Sequence, residues 1–301
     1  MSQVSFEKRT VIVTGAGNGL GKAYALDLGS RGAKVVVNDL GGAVDGSGSG
    51  STPADEVVNE IIANGGEAVA NYDSVATKEG GASIVQTAID NFGTVDAVVN
   101  NAGILRDKSF ANMSEEELSL IIDVHLKGTF FVSQPAFKVM KENAYGRIVN
   151  VASPSGLFGN FGQSNYGAAK MGIVGLTNVL AIEGAKYNIK VNVIAPTAYT
   201  RMTEALLPED VGKLFSAELV TPMVSYLASE ACETSHEIFG VAAGRFARIG
   251  IITHKGYVNT NASAEDIAEN IEEIRNIENG TYPLSNEDEL MIIQQAIQGN
   301  Q

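Results

Sequence analysis

The stretch from Ser153 to Lys170 holds a hydroxyl, a phenol and an ammonium group at spacings that could bring them together. Tyr166 and Lys170 are four residues apart, so a helix would place both side chains on one face. Ser153 lies thirteen residues before Tyr166, across a Gly-rich turn and at the predicted end of a strand. A lysine cation beside a phenol lowers the phenol's pKa, so this set could move a proton on or off an alcohol.

Taken alone, Tyr-x-x-x-Lys also describes an ordinary exposed pair on an amphipathic helix. The spaced serine and a Gly-rich motif near the start of the chain favour the chemical interpretation. That motif, TGAGNGLG at residues 14–21, follows a predicted strand and precedes a predicted helix. Its glycines at 15, 19 and 21 would let the chain turn tightly against a pyrophosphate, and the helix would offer free N–H groups to the phosphates.

Asp39 ends the second predicted strand. A carboxylate at this place can accept hydrogen bonds from ribose hydroxyls and repels a 2′-phosphate, although a plain turn-capping aspartate is the alternative. We therefore predict NAD as the cofactor rather than NADP. Asp73-Ser74-Val75 and Asn101-Ala102-Gly103 end the third and fourth strands, where small residues would leave room for the cofactor.

Strand and helix signals alternate along residues 1–244, which is typical of βαβ units around a parallel sheet. The sequence predicts an α/β fold, a Rossmann-type doubly wound parallel sheet of about seven strands. The predicted strands are Val11–Thr14, Lys34–Asn38, Ala68–Asn71, Val95–Asn100, Arg147–Ala152, Lys190–Ile194 and Glu237–Val241. The predicted helices are Leu20–Arg31, Pro53–Asn64, Thr77–Phe92, one long helix from Ser114 to Lys141, and Asn165–Tyr187.

Two segments depart from this alternation. Leu40–Thr52 is a long Gly/Ser-rich loop, which is either a mobile surface insert or part of the rim of a cofactor site. Residues 245–301 form a predicted C-terminal extension with two acidic helix candidates, Ser263–Glu278 and Asn286–Ile297. We expect this extension to pack on the catalytic domain of residues 1–244 or on a partner subunit.

Composition excludes several classes of function. The 301 residues carry a net charge of −14, which argues against binding nucleic acid or an anionic membrane. No apolar run of about 18 residues or more predicts a membrane span. His236 and His254 have no partner at metal-ligand spacing, so no metal site is predicted. A single cysteine, Cys232, with no signal peptide and no C-terminal Ser-Lys-Leu, favours a reducing, cytoplasmic location.

With these residues assembled, the chain resembles the short-chain dehydrogenase/reductase superfamily over about residues 6–244. The resemblance lies in TGAGNGLG, NNAG, Ser153, YGAAK at residues 166–170 and VNVIAP at residues 191–196. It implies that Tyr166 is the proton donor and acceptor, that Lys170 binds the nicotinamide ribose, and that Ser153 orients the carbonyl. It also implies a substrate loop at Thr197–Thr203. The cofactor contacts expected in total are Gly15, Asn18, Gly19, Leu20, Gly21, Asp39, Ser74, Val75, Asn101, Tyr166, Lys170, Ala198, Tyr199 and Thr200.

Within that superfamily the chain looks most like the (3R)-hydroxyacyl-CoA dehydrogenase units of peroxisomal multifunctional enzymes type 2. The similarity is carried by VVVNDLGG, NNAGILRD, DVHLKGTF and GLFGNFGQSNY. It implies an acyl-CoA or other hydrophobic secondary-alcohol substrate and assembly as a homodimer or homotetramer. The alternatives are a hydroxysteroid dehydrogenase of the 17-beta type and a catalytically silent protein that senses NAD.

One residue departs from the general superfamily pattern. Where other members carry an asparagine on the long helix, which helps to hold a water near the lysine, this sequence has His125. The peroxisomal multifunctional enzymes type 2 look like this sequence at the position of His125, so we do not interpret the histidine as the loss of a catalytic residue. A histidine could support the same water chain as a fourth catalytic residue. It could equally be a satisfied core histidine.

Overall fold

The computed structural model describes residues 4–201 and 212–298. The chain divides into two compact units, residues 1–248 and residues 249–301. The first unit is built on one sheet whose strands are β1 Thr10–Thr14, β2 Lys34–Asn38, β3 Glu67–Asn71, β4 Ala97–Asn100, β5 Gly146–Val151, β6 Ile189–Thr197, β7 Ile238–Ala242 and β8 Arg245–Ile249.

The strands lie in the order β3-β2-β1-β4-β5-β6-β7-β8. Neighbours from β3 through β7 are parallel, for example with Val11 opposite Val35 and Ala97 opposite Arg147. The order reverses direction between β1 and β4, which is where doubly wound sheets open a crevice for ligands. The predicted fold class is therefore confirmed.

The sheet has eight strands, whereas the sequence predicts about seven, and β8 is the strand that the sequence does not predict. Only Ala243 and Gly244 separate β7 from β8, and both have a positive φ, 49° and 75°. Two such residues form the tight turn that joins antiparallel neighbours, so β8 folds back along the edge of the sheet. The sheet thus continues into the segment that the sequence assigned to the extension.

The helices of the first unit cover both faces of the sheet. They are α1 Gly19–Ser30, α2 Thr52–Ala63, α3 Lys78–Phe92, α4 Glu115–Ile121, α5 Gly128–Glu142, α6 Pro154–Phe158, α7 Ser164–Gly184 and α8 Thr221–Ala228. Short 3-10 turns occur at Phe110–Asn112, Ala185–Tyr187, Lys213–Phe215 and Ala217–Leu219.

The predicted long helix is not regular throughout. It begins with the expected capping box, in which Ser114 Oγ accepts from Glu117 N–H at 3.2 Å and Glu117 Oε2 accepts from Ser114 N–H at 2.9 Å. Between α4 and α5 the chain forms a π-helical segment, Ile122–Lys127. Such a wide turn displaces side chains from ordinary helical spacing, and His125 lies inside it.

Alternate residues of the central strands enter two separate core layers. Val11 and Val13 pack in the layer that contains Leu28 of α1, whereas Ile12 packs in the layer that contains Ile84 of α3. All five of these side chains are fully buried. Burial on both faces explains why strands such as KVVVN read as continuous apolar runs.

The second unit contains α9 Ala264–Glu269, α10 Ile271–Arg275 and α11 Asn286–Gln298. The predicted helix Ser263–Glu278 is thus interrupted, because Asn270 leaves helical geometry at φ −102° and ψ 13°. The other predicted helix matches α11 closely. Within residues 4–201 and 212–298, no helix has the length and apolar character needed to cross a membrane.

Candidate active site

A cavity of about 560 Å³ lies at the carboxyl ends of the strands, around the point where the sheet order reverses. It brings together nearly every residue that the sequence singled out. These are Gly15, Asn18, Gly19, Leu20, Gly21, Asp39, Ser74, Val75, Asn101, His125, Ser153, Tyr166, Lys170, Ala198 and Thr200. Tyr199 is the exception. Its N–H donates to the carbonyl of Phe215 at 2.7 Å, and it is not among the lining residues.

Two glycines of the Gly-rich turn, Gly15 and Gly21, have no room for a side chain. A Cβ added to Gly15, whose φ is +62°, would lie 2.7 Å from the Cα of Ala102. One added to Gly21 would lie 2.1 Å from the carbonyl oxygen of Gly15. The amide of Asn101 holds this turn by donating to the carbonyls of Thr14 and Gly15, each at 3.0 Å.

Helix α1 starts at the end of this turn, and its capping residue Asn18 makes no side-chain hydrogen bond to it. The first N–H groups of α1 are therefore available to an anionic ligand. A close backbone approach followed by open helical N–H groups is what a pyrophosphate requires. The residues present thus fit a dinucleotide cofactor.

Asp39 is held in place by backbone amides at the end of β2. Its Oδ2 accepts from Gly17 N–H and its Oδ1 accepts from Gly41 N–H, both at 2.7 Å. Each carboxylate oxygen retains acceptor capacity for a further partner, such as a ribose hydroxyl. The carboxylate is consequently fixed beside the cavity rather than extended into solvent.

The Gly/Ser-rich insert forms part of the rim of the cavity. Val44 O accepts from Leu105 N–H at 3.0 Å, and Asp45 O accepts from Arg106 Nε at 2.6 Å. The insert closes on itself where Gly50 N–H donates to Leu40 O at 2.9 Å. Its contributions to the cavity lining are Leu40, Gly42, Ala43, Val44 and Gly46. The two alternatives left open by the sequence are thereby decided in favour of a rim.

Ser153, Tyr166 and Lys170 meet as the spacing predicted. Ser153 caps α6 with its Oγ 3.2 Å from Ser155 N, while Tyr166 and Lys170 share one face of α7. Lys170 Nζ donates to Val151 O at 2.6 Å and lies 5.5 Å from the centre of the Tyr166 ring.

Burial dominates the acid–base properties of this set. Burial raises the pKa of Tyr166 to about 12; a hydrogen bond with Ser153 opposes the rise and the charge of Asp107 adds to it. Burial also lowers the pKa of Lys170 to about 7. The sequence predicts that a lysine cation lowers the pKa of Tyr166. In the structure, burial of the phenol raises this pKa instead. Desolvation penalises both charged forms, so the phenol is neutral at pH 7.

His125 is buried against Tyr166 in an edge-to-face arrangement, with 5.1 Å between ring centres. Its Nε2 lies 2.8 Å from Ile104 O and 3.1 Å from Ile104 N. Its buried Nδ1 has no hydrogen-bond partner among the described residues. Burial, reinforced by Lys170, holds the pKa of His125 well below its ordinary value, so the imidazole is neutral.

Three polar residues that the sequence analysis did not single out also line the cavity: Asp107, Asn160 and Gln163. They form a hydrogen-bonded row, from Asn160 Nδ2 to Gln163 Oε1 at 3.1 Å and from Gln163 Nε2 to Asp107 Oδ2 at 2.7 Å. No sequence motif identifies these three residues, because the loop that contains Asp107 and the loop that contains Asn160 and Gln163 come together only in the folded chain.

The predicted substrate loop is only partly described. Its beginning borders the cavity through Thr197, Ala198, Thr200 and Arg201, whereas residues 202 and 203 lie outside the described residues. Among residues 4–201 and 212–298, no cluster of histidine, cysteine and acidic side chains could hold a metal ion.

Comparison with known proteins agrees with this geometry. Residues 9–210 match the short chain dehydrogenase family. A short-chain type dehydrogenase/reductase of Mycobacterium tuberculosis is 51% identical over 272 residues, which are 90% of this chain and 95% of that protein. The peroxisomal multifunctional enzyme type 2 of Mus musculus is 50% identical over 288 residues, 94% of this chain but only 38% of that enzyme.

A solved structure shows the same relationship. The full-length peroxisomal multifunctional enzyme type 2 of Drosophila melanogaster superposes with a TM-score of 0.83 at 37% identity, over 98% of this chain and 50% of that one. The chain thus spans half or less of these two multifunctional enzymes. On this similarity and on the geometry above, the chain belongs to the short-chain dehydrogenase family and is an oxidoreductase that acts on a secondary alcohol.

Proposed function

We propose that this protein is an NAD-dependent dehydrogenase that interconverts (3R)-hydroxyacyl-CoA and 3-oxoacyl-CoA thioesters. One observation carries the proposal: Ser153, Tyr166 and Lys170 line the same cavity as the Gly-rich turn and Asp39. The similarity to the peroxisomal multifunctional enzymes type 2 supports the acyl thioester as substrate. When bound, NAD would supply the hydride acceptor.

The protein's own groups would handle the proton. Ser153 would hold the substrate oxygen, and Tyr166 would exchange a proton with it. Since the phenol is neutral at pH 7, it is ready to donate in the direction of carbonyl reduction. Oxidation of the alcohol requires the phenolate, so it should become faster as the pH rises. Holding the alcohol beside the phenol supplies much of the remaining rate advantage.

Asp39 supports NAD over NADP. A 2′-phosphate on the ribose would meet a carboxylate fixed by two backbone amides. Asp39→Asn keeps an oxygen acceptor and removes the charge, so the ratio of kcat/KM for NAD to that for NADP should fall about tenfold or more. The rim variant Asp45→Asn is the control, because Asp45 is outside the cavity lining. An unchanged ratio in Asp39→Asn would contradict this cofactor assignment.

The surroundings of the cavity support a hydrophobic substrate. Phe110, Phe158 and Phe161 lie on segments next to the cavity-lining residues Asp107, Asn160 and Gln163, and their exposed fractions are 83%, 72% and 91%. Such apolar surface near a polar reaction centre suits an acyl chain attached to a reacting alcohol.

The proposal is tested by following NADH formation with (3R)- and (3S)-hydroxyacyl-CoA in parallel, with Tyr166→Phe as the blank. Turnover of the R isomer alone, lost in the blank, would establish the reaction, its stereochemistry and the proton-transferring residue. No turnover of either isomer, together with turnover of a steroid alcohol, would replace the acyl thioester by a hydroxysteroid. Tight NAD binding without turnover of any alcohol would instead indicate an NAD-sensing protein.

We further propose a homo-oligomer assembled through α5 and α7. Helix α5 carries one large apolar side chain that is about half exposed, Phe130, and α7 carries three, Met171, Val179 and Ile182. Exposed apolar side chains are a common feature of protein interfaces. Light scattering during gel filtration would measure the mass, and Val179→Glu combined with Ile182→Glu should shift it towards a monomer. A cytoplasmic location stays a prediction.

A further inference from the structure

We propose that Asp107 is a specificity-determining residue whose carboxylate makes the enzyme prefer neutral acyl thioesters over free 3-hydroxy acids. This inference rests on the proposed function, since it concerns how the same cavity distinguishes two forms of one acyl group. It is carried by the position of Asp107 in the cavity wall, by its fixed orientation and by the charges around it.

Asp107 is attached to the helix that carries the catalytic tyrosine. Its Oδ2 accepts a hydrogen bond of 2.7 Å from the side chain of Gln163, which is 8% exposed. Gln163 immediately precedes α7, and its carbonyl accepts from Gly167 N–H at 2.7 Å. Tyr166 is only three residues further along the chain. Asp107 therefore sits beside the first turn of α7.

The backbone around Asp107 is clamped on both sides. Lys108 N–H donates to Gly162 O at 2.8 Å, and Asn165 Nδ2 donates to Arg106 O at 3.0 Å. The residues before and after Asp107 are thus joined to the segment that leads into α7. This arrangement fixes the backbone on either side of Asp107, while the exposed Asp107 side chain is held by the hydrogen bond from Gln163.

The charge of Asp107 is not neutralised locally. Within the described parts of the chain it takes part in no ion pair, and its recorded side-chain partner is the uncharged amide of Gln163. Its field reaches the reaction centre, because its charge adds to the burial that raises the pKa of Tyr166. The cavity wall contains two further carboxylates, Asp39 and Asp73, whereas its basic side chains among described residues are Arg201 and Lys170, and burial lowers the pKa of Lys170 to about 7.

The thioester and the free 3-hydroxy acid differ in the charge that they would place near Asp107. In a free 3-hydroxy acid, an anionic carboxylate lies two carbons from the reacting carbon, and hence within a few ångströms of the Tyr166 hydroxyl. A thioester places a neutral carbonyl there. Repulsion between like charges is several-fold stronger at a protein surface than in bulk water, because the effective dielectric constant is lower. The neutral form should therefore react preferentially.

The test compares kcat/KM for (R)-3-hydroxybutyryl-N-acetylcysteamine, a neutral thioester, with that for (R)-3-hydroxybutyrate. The variant Asp107→Asn retains an oxygen that can accept from Gln163 and removes the charge. We expect its preference for the thioester to fall about tenfold, mainly through a lower KM for the free acid. Asp45→Asn, which removes a rim carboxylate outside the cavity lining, should keep the wild-type preference.

A second readout separates charge from structure. In Asp107→Asn the acid limb of the pH profile for alcohol oxidation should move to lower pH, because a charge that raises the Tyr166 pKa is gone. A thermal unfolding midpoint close to that of the wild type would show that the clamp has survived. An unchanged thioester preference in a folded Asp107→Asn enzyme overturns the proposal and leaves the proposed function intact. A wild-type enzyme that turns over neither compound, nor any hydroxyacyl-CoA, overturns both.

Discussion

The cofactor end and the catalytic end of the cavity are built from different parts of the chain. At the proposed cofactor end the backbone forms the surface: Gly15 and Gly21 have no room for a Cβ, α1 presents open N–H groups, and the Asp39 carboxylate is held by the amides of Gly17 and Gly41. At the proposed catalytic end, side chains would carry the chemistry: Lys170 and His125 are buried, and Tyr166 is partly buried in the cavity wall.

This contrast shows two ways of making a group functional. Backbone shape is set locally, by residues that tolerate a tight turn, so a single substitution should disturb binding through steric conflict. Acid–base behaviour is set by the surroundings, because burial penalises charged forms wherever they stand in the sequence. The predictions below separate defects in NADH binding from defects in kcat. The distinction between the two ends would be wrong if substitutions at both ends changed NADH binding and kcat to the same degree.

The largest effect is expected at the catalytic end. Tyr166→Phe removes the proton-transferring hydroxyl and leaves the ring, so kcat should fall by about a thousandfold. The dissociation constant for NADH, measured by fluorescence titration, should stay within about threefold of the wild-type value. A variant that lost nucleotide binding to a similar degree would show that the two ends are not separable.

The opposite defect is expected from Gly21→Ala. The added methyl group would lie 2.1 Å from the carbonyl oxygen of Gly15, so the turn must open. We expect NADH binding to weaken about a hundredfold, with a loss of about 1–3 kcal/mol in the free energy of unfolding.

The matched control for that variant is Gly175→Ala, in the middle of α7. A Cβ there meets nothing within 4 Å. Gly175 lies outside the cavity lining, on the same exposed face of α7 as Met171 and Val179, so this substitution should leave NADH binding unchanged. If Gly21→Ala bound NADH as tightly as Gly175→Ala does, the backbone would not be the determinant of binding.

His125 gives a sharper test at the catalytic end. His125→Ala removes the ring that packs against Tyr166, and we expect kcat to fall about tenfold while nucleotide binding survives. His236→Asn is the control, since His236 has a φ of 69° that asparagine tolerates and lies outside the cavity lining. Unchanged turnover in His125→Ala would leave His125 as a satisfied core residue and remove it from the mechanism.

The last prediction concerns stability. The pKa of Lys170 is lowered by burial from an ordinary value near 10.5 to about 7 in the folded protein. Between these values the unfolded chain holds the proton and the folded protein does not, so stability rises with pH across this window and is lost again as the pH falls towards 7.

The slope should approach about 1 kcal/mol per pH unit and should be absent in Lys170→Met. Urea unfolding of the nucleotide-free protein at pH 7, 8 and 9 would measure it. Equal slopes in the wild type and in Lys170→Met would contradict the buried, easily deprotonated lysine.

Much of the site could be anticipated from sequence because its parts are local patterns. Four residues on a helix bring Tyr166 above Lys170, and a strand followed by a Gly-rich turn places Gly15 and Gly21 where a pyrophosphate would lie. Ser153 was singled out because it follows the predicted fifth strand, and the family resemblance added its expected role. These relations do not depend on distant parts of the chain.

Other features could not be anticipated because they depend on contacts far apart in sequence. The insert after β2 joins the rim only because Val44 and Asp45 meet Leu105 and Arg106. Asp107 contacts Gln163, which lies 56 positions further along the chain. Helical and strand periodicity in the sequence likewise does not predict the π-helical segment around His125 or the additional strand β8.

The amino-acid sequence by itself determined the α/β fold, the Gly-rich turn, the acidic residue at the end of β2 and the helical pairing of Tyr166 with Lys170, because each follows from short-range spacing and residue type. Only the tertiary structure decided how these groups ionise. The sequence predicted a tyrosine with a lowered pKa, whereas burial raises it to about 12. Desolvation is a property of everything packed around a side chain, and no short stretch of sequence contains it.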